Sequence, residues 1–339
     1  MSMTTPTDDA AIDAIVTTLR GAKRVLVTGH VNPDGDAIGS SRALALALRS
    51  LGIAADTSWG GDPAIADSSP KELSPTWVRF GGQETVVTYP KAEDYDVVVT
   101  CDTASFKRNG TLMPLLEAVP TVVVIDHHNT NDFYGDLHYI DPDQSSACGV
   151  VVRVIDALGV DLTPEMAELL LLGLTTDTGR FSYGRSPIYD HQFAARLIEA
   201  GANPDVINQV VFMSNPAAFL ELTGLMLSRA TLNDGIVISW VSQEDVQRIG
   251  IALDESEKIL DHLRAIDEVC VAIVTREDAP GLWRTSFRGR IGMNVARIAQ
   301  YFGGGGHTLA AGCTVRAKDY EDAIAQIYAA IEAVGISND

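Results

Sequence analysis

Two short runs restrict the folds open to this chain more than any other feature. Asp96–Cys101 reads DVVVTC and Thr121–Ile125 reads TVVVI. Neither alternates apolar with polar residues, as a strand with one wet face does. Near-continuous β-branched segments of this length suit central parallel strands covered on both faces. Parallel neighbours need long return connections, and the sequence supplies helical ones. Arg24–Thr28 reads as another strand, followed by a helix over Asp36–Leu51, and Ile53–Ser58 as the next strand. Helices are expected over Ala147–Leu158 and Pro164–Leu174, the second with Thr163 as N-cap and Pro164 in its first turn. Strands alternating with helices predict an α/β domain over residues 1–186, built on a doubly wound, mainly parallel sheet.

From about Pro187 to Leu232 the pattern is helical, with breaks at Gly201 and Asn215–Pro216, so residues 187–232 are expected to form a helical connector. Beyond it, Ile236–Val241, Glu268–Thr275 and Leu282–Arg288 read as strands. A return strand near Cys313–Val315 and a final helix over Tyr320–Val334 complete a smaller, mixed-sheet α/β domain at 233–339. A length of 339 residues suits two such domains. No apolar segment is long enough to span a bilayer. The opening MSMTTPTDDA lacks the basic and apolar regions of a signal peptide, so the expected location is cytoplasmic, with no membrane partner. Cys101, Cys148, Cys270 and Cys313 form no Cys-x-x-Cys pair and read as reduced, buried thiols.

Ionisable residues recur where the buried strands end. His30, Asp34 and Asp36 lie in TGHVNPDGDAIGS, Asp102 follows DVVVTC, Asp126–His127–His128 follow TVVVI, and Asp177 lies in TTDTG. In open α/β sheets, ligands bind beyond the carboxyl ends of the strands. Singly, each residue has an ordinary explanation: Asp36 or Asp177 as a helix cap, Asp34–Gly35 as a turn, His30 as a packed histidine. Together, carboxylates and imidazoles without thiolates suit divalent ions such as manganese rather than structural zinc. The set is too large for one ion with open positions. It fits two ions sharing a carboxylate, which in two-metal hydrolases lie roughly 3.5–4 Å apart. Two dications would also relieve the repulsion between Asp34 and Asp36. His138, His191 and His262 belong to no such cluster and read as ordinary residues.

The formal charge of −20 argues against a protein that grips long duplexes through counterion release. It leaves room for a small or single-stranded phosphate ligand in a local basic pocket. Arg276, Arg284, Arg288, Arg290 and Arg297 crowd one short window, close to FGGGGH at Phe302–His307. Glycines such as Gly304, Gly305 and Gly306 offer unhindered N–H groups to an anion, and His307 adds a donor, so this segment reads as a phosphate site.

These motifs resemble the DHH phosphoesterase superfamily. The carriers are His30-x-x-x-Asp34-x-Asp36, Asp126–His127–His128 and TTDTG. SFRGR at Ser286–Arg290 and GGGGHTLAAG at Gly303–Gly312 resemble its DHH-associated C-terminal domain. The combination is similar to the NrnA-type branch of oligoribonucleases and 3′-phosphoadenosine 5′-phosphate phosphatases. The resemblance implies that His30 and Asp34 hold one manganese ion and Asp36 the other. Asp102 bridges both, and His127 and Asp177 complete the second site. It implies that His128 faces the substrate phosphate, with Asp126 orienting the rings. Arg288 and His307, with the glycine run, would hold the substrate's terminal nucleotide. Gly289 and Gly292 stand where the family often has serine and an acidic residue. The implied activity is a hydrolase releasing mononucleotides from short 5′-phosphorylated oligoribonucleotides such as pApA, and AMP from 3′-phosphoadenosine 5′-phosphate. Magnesium or cobalt are alternative ions, cyclic di-AMP an alternative substrate, and a homodimer the implied assembly. Manganese inorganic pyrophosphatase and a catalytically inactive nucleotide-binding protein are more distant readings.

Overall fold

A computed structural model describes residues 6–61, 75–81, 86–182 and 184–337. The chain divides into two compact units, Met1–Ser214 and Asn215–Asp339.

The first unit is built on five parallel strands: β1 (Arg24–Gly29), β2 (Ala54–Trp59), β3 (Val97–Cys101), β4 (Val122–Asp126) and β5 (Leu137–Ile140), in the order β2-β1-β3-β4-β5. Every residue of β3 and β4 is buried, as their β-branched runs require. Val25, Val27, Val97, Val99, Val123 and Ile125 pack against helices α1 (Pro6–Gly21), α2 (Gly35–Ser50), α3 (Ala147–Ala157) and α4 (Pro164–Asp177). Leu26, Val98, Val122 and Val124 face the other way, onto Leu112, Leu115, Leu116 and Val119. Each such fully buried side chain contributes roughly 1.5–3 kcal/mol. The strand order reverses direction between β1 and β3, which opens a crevice at the carboxyl ends of those two strands.

The second unit carries a six-stranded mixed sheet ordered β10-β11-β9-β8-β7-β6. Its strands are β6 (Thr231–Asn233), β7 (Ile236–Val241), β8 (Val271–Ala279), β9 (Leu282–Gly289), β10 (Gly305–His307) and β11 (Ala310–Arg316). Only β7 and β8 run parallel. The stretch 187–232 divides between the two units. Helix α5 (Pro187–Glu199) buries Phe193 and Leu197 in the first core, whereas α6 (Phe219–Arg229) buries Leu222 and Met226 in the second. On one sheet face, Val237, Val241, Ala272 and Val274 are covered by α6 and α7 (Ile259–Arg264). On the other, Ile273, Trp283, Phe287 and Val315 are covered by α8 (Ala296–Tyr301) and α9 (Tyr320–Val334).

Some details depart from expectation. Helix α2 starts at Gly35 with Asp34, not Asp36, as its N-cap. Cys270 is exposed because it lies in the turn entering β8, while the other three cysteines are buried as read. Among the described residues, no helix is long and apolar enough to cross a membrane.

Candidate metal centre

The crevice between β1 and β3 collects its ionisable side chains from four separate stretches, 30–36, 102, 126–128 and 177. His30 is the first residue beyond β1, and its Nδ1 lies 2.8 Å from the Val31 carbonyl, which turns Nε2 towards the crevice. Asp34 caps α2 with one oxygen only: Oδ1 accepts from the Asp36 and Ala37 N–H groups at 3.0 and 3.1 Å. Its Oδ2 lies 3.5 Å from His30 Nε2. Because Asp34 does the capping, Asp36 turns inward and is completely buried. Its two oxygens accept the Ala147 and Cys148 N–H groups at 2.5 and 3.0 Å, at the N-terminus of α3, where the helix dipole favours an anion. Gly173 of α4 leaves the room for this. A Cβ there would collide with Cys148 Sγ and sit 2.5 Å from Asp36 Oδ1.

Asp102 leaves β3 in the left-handed region, with φ of +54°, a conformation that costs a non-glycine residue energy and recurs at functional sites. The turn aims its two oxygens apart. Oδ2 lies 3.4 Å from His30 Nε2, and Oδ1 lies 3.4 Å from His127 Nε2 and 3.6 Å from His128 Nδ1. His127 is buried, with Nδ1 3.3 Å from the Gln144 carbonyl and Nε2 facing Asp177 Oδ2 at 3.3 Å and Asp36 Oδ2 at 3.8 Å. Asp126, the last residue of β4, holds His128 Nδ1 at 2.8 Å and accepts from Asn131 Nδ2 at 2.7 Å.

Two ligand groups result. One is His30, Asp34 and Asp102; the other is Asp36, His127 and Asp177. Asp102 Oδ1 looks into the second from the first. Three observations fit divalent cations here. The nitrogen–oxygen separations of 3.3–3.8 Å exceed those of charge-assisted hydrogen bonds. Donor atoms each about 2.1 Å from a common ion stand roughly 3.0–3.4 Å apart. Asp102 Oδ1 is buried and accepts no well-formed hydrogen bond. The donors are oxygens and imidazole nitrogens, with no thiolate, as hard and intermediate divalent ions prefer.

The titration behaviour shows the same shortage of positive charge. Burial and the Asp102 carboxylate push Asp36 up to about 7. Burial pushes Asp177 well above the carboxylate range against the pull of His127. Burial and the Arg108 guanidinium disfavour a charged His30, yet Asp34 and Asp102 outweigh them and raise it to about 9. His127 is likewise raised to about 10, against burial, by Asp102, Asp177 and Asp36. Burial opposes ionisation of Asp102 too, but His127 and His30 hold it well below the usual range. A dication in each group would supply the positive charge that these shifts draw from protons.

In the second unit, the register puts Arg288, Ala310 and His307 in one row across β9, β11 and β10, so Arg288 and His307 share a sheet face. Gly305 and Gly306 are exposed beside them. A Cβ at Gly306, where φ is +136°, would meet the Ala310 carbonyl at 2.6 Å, and one at Gly304 would lie 2.6 Å from Cys313 Cβ. Close packing of the β10–β11 hairpin therefore accounts for Gly304 and Gly306; a Cβ at Gly305 would meet nothing within 4 Å. The five arginines do not converge. Arg276, Arg284 and Arg288 share a region. Arg290 is spent on the carbonyls of Arg264, Ile266 and Asp267, and Arg297 lies on the exposed side of α8.

Residues 24–174 match the N-terminal domain of the DHH family, and residues 233–333 match the DHHA1 domain. Over 319 residues the chain is 31% identical to the bifunctional oligoribonuclease and PAP phosphatase NrnA of Thermus thermophilus, covering 91% of this chain and 89% of that protein. The chain belongs to the DHH family. It is a DHH phosphoesterase, a hydrolase. A second relative, a probable manganese-dependent inorganic pyrophosphatase of Streptococcus agalactiae, is 33% identical over 186 residues, 53% of this chain and 57% of that one. The crystal structure of an exopolyphosphatase-related protein from Bacteroides fragilis superposes with a TM-score of 0.84 at 24% identity, covering 96% of each chain, and supports the DHH fold.

Around this DHH centre the structure adds residues that no sequence pattern singled out. Arg108 comes close enough to oppose protonation of His30, and its carbonyl accepts the Val31 N–H at 2.8 Å. Arg185 Nη1 donates to the carbonyls of Pro142 at 2.6 Å and His127 at 3.4 Å. Asn131 completes the support of Asp126. Arg108 and Arg185 act through contacts distant in sequence, which periodicity and spacing do not report.

Proposed function

We propose that this chain hydrolyses short 5′-phosphorylated oligoribonucleotides to mononucleotides, and 3′-phosphoadenosine 5′-phosphate to AMP, with two manganese ions. The observation that carries the reading is Asp102, whose oxygens face one His/Asp group each, on a chain 31% identical to an oligoribonuclease and PAP phosphatase over nine-tenths of its length. His30, Asp34 and Asp102 would hold one ion, and Asp36, His127, Asp177 and the shared Asp102 the other. Divalent ions there supply Lewis-acid polarisation of a phosphoryl oxygen and a water acidic enough to lose its proton near neutral pH. The catalytic part would lie within residues 1–186 and the substrate anchor within 233–339.

The chain's own side chains do the rest. Asp36 is kept in place by two N–H groups of α3, so its position does not depend on the ion. Asp126 fixes the His128 ring through Nδ1, which would leave Nε2 to meet a phosphate oxygen and stabilise charge that grows in the transition state. Arg288 and His307, two strands apart on one sheet face, would grip the terminal nucleotide and its phosphate. A small anchor of this kind favours short substrates, and a charge of −20 repels long polyanions. The pyrophosphatase likeness covers about half of each chain and supports the metal chemistry rather than the substrate.

The test is a panel of pApA, 3′-phosphoadenosine 5′-phosphate, cyclic di-AMP and longer RNA with manganese, magnesium or cobalt. Manganese-supported turnover of the first two, with longer RNA poorly cleaved, is expected. No turnover of either with manganese would refute the proposal.

A further inference from the structure

A hydrogen-bonded brace stands behind the second ligand group, one layer out from the side chains that would touch an ion. Its centre is Ser145, buried in the stretch between β5 and α3. Ser145 Oγ donates to Asp190 Oδ2 at 2.7 Å and accepts the Arg185 and Ser186 N–H groups at 2.7 and 3.2 Å. A hydroxyl has one proton and two lone pairs, so this one is saturated. With both lone pairs taken, its proton has to go to Asp190, and the carboxylate fixes how the hydroxyl points. Asp190 is buried in the first turn of α5. Gly184 makes room for it, since a Cβ there would sit 2.2 Å from Asp190 Oδ2. Asp190 Oδ1 is buried and accepts no hydrogen bond among the described residues, and burial pushes the pKa of the group up. A buried carboxylate so thinly supported is costly, which calls for a role beyond packing.

The brace reaches all three ligands of the second group. Gln144, beside Ser145 in the chain, presents its carbonyl to His127 Nδ1 at 3.3 Å. On the other side of Ser145, Ser146 caps α3, and the next two N–H groups, of Ala147 and Cys148, hold the Asp36 carboxylate. Arg185, tied to Ser145 through its backbone, donates from Nη1 to the Pro142 and His127 carbonyls. The chain beyond Asp177, at the end of α4, runs into the Gly184–Ser186 stretch that Ser145 ties down. His30 and Asp34, by contrast, belong to the turn after β1, and Asp102 to the turn after β3.

We propose that Asp190 is a positioning residue for the second ligand group. Through Ser145 it sets the Gln144 carbonyl and the N-terminus of α3, which aim His127 and Asp36, and so it tunes the ion they would hold without touching it. The acceptor oxygen carries the effect, not the charge, so an amide oxygen at position 190 serves as well. The presence of an ion rests on the two-metal reading above; the brace itself does not.

The experiment follows anomalous peak heights at the manganese edge in crystals of the full-length chain, soaked over a series of buffered manganese concentrations, for wild type, Asp190→Ala and Asp190→Asn. Outer partners of metal ligands typically change affinity 10–100-fold, and a residue one step further out belongs at the lower end. Asp190→Ala should therefore raise the half-filling concentration of the peak among Asp36, His127 and Asp177 about tenfold. The peak among His30, Asp34 and Asp102 should fill as in wild type, and Asp190→Asn should restore the second peak to within about twofold. Three results would overturn the proposal: a second peak unchanged in Asp190→Ala, both peaks weakened alike, or Asp190→Asn as impaired as Asp190→Ala. Should Asp190→Ala not fold, Ser145→Ala carries the same expectation, and failure of both to fold would make the pair a structural brace and overturn the proposal. A wild type that shows no second peak at any concentration would refute the two-ion reading itself, before any variant is compared.

Discussion

Loading the centre with manganese should expel protons, and their number follows from the geometry. With Asp34, Asp102, Asp36 and Asp177 crowding them, His30 titrates at about 9 and His127 at about 10 in the metal-free protein. Ligation requires their neutral Nε2. At pH 8 the first is then roughly nine-tenths protonated and the second almost fully, so about two protons leave as the two groups fill. Asp36, at about 7, adds about one-tenth of a proton at pH 8 and about nine-tenths at pH 6, and Asp177, pushed well above the carboxylate range by burial, adds its own share, so the release at pH 6 is about three or more. Calorimetry in buffers of different ionisation enthalpy counts them directly. Release of less than about half a proton at pH 8 would refute the reasoning, since these imidazoles would then not be charged in the metal-free centre or would not be ligands. The sign extends to stability. Histidines raised above 6.5 stabilise the metal-free fold fully below that pH, and the contribution is lost as pH climbs through 9 and 10. Asp36, raised from its carboxylate value to about 7, acts in the same direction between about pH 4 and 7. The stabilisation conferred by manganese should therefore grow with pH across that window, measured as the shift in Tm on adding the ion.

Other side chains give separate tests. Asp126→Asn removes the carboxylate that fixes His128 and should lower kcat about 10–100-fold while the fold survives, as steady-state kinetics and circular dichroism would show. Gly173→Ala drives a methyl group into Asp36 and Cys148, at a cost of about 1–3 kcal/mol against about 1 kcal/mol of helix gain, and should weaken manganese binding. Gly224→Ala in α6, where a Cβ meets nothing within 4 Å, should instead stabilise by up to about 1 kcal/mol in urea unfolding. Arg229 pairs with both oxygens of Asp245 at 2.6 and 3.0 Å and lies 3.7 Å from the Trp240 ring centre; with two hydrogen bonds from Ser242 it holds Asp245 at about 2 against burial. The stability this gives is present above about pH 4 and lost as pH falls through about 2, so Arg229→Ala should destabilise the second unit markedly at pH 7 and far less near pH 2, as acid-dependent unfolding would show.

Much of the first unit is legible because burial on both faces leaves its mark on a strand's own residues. Val97–Cys101 and Val122–Asp126 lie where their β-branched runs put them. Strand β5 was not readable: Leu137–Ile140 is a short edge strand with a half-buried, mixed pattern. Strand β10 was hidden for a different reason, since Gly305–His307 pairs through its backbone and carries almost no side-chain signal. The residues read at the strand ends, from His30 to His128, gather in one crevice because the parallel topology delivers every strand's carboxyl end to the same edge, and Asp177 joins them from the C-terminus of α4. What spacing did not reveal was the division of labour. Asp34 divides its oxygens between a helix cap and His30, and Asp36 is buried by a glycine more than a hundred residues away in sequence. The arginine window also misled in part. Five neighbours in sequence separate once strand alternation and the turn after β9 send Arg290 to carbonyl oxygens and Arg297 to a helix surface.

The central claim is that Asp102 serves two ions at once, and anomalous scattering at the manganese edge from crystals soaked in manganese tests it most directly. Two peaks are expected, one among His30, Asp34 and Asp102 and the other among Asp36, His127, Asp177 and Asp102, with both lost or displaced in an Asp102→Ala protein that remains folded. A single peak, or two peaks of which only one touches Asp102, would contradict it.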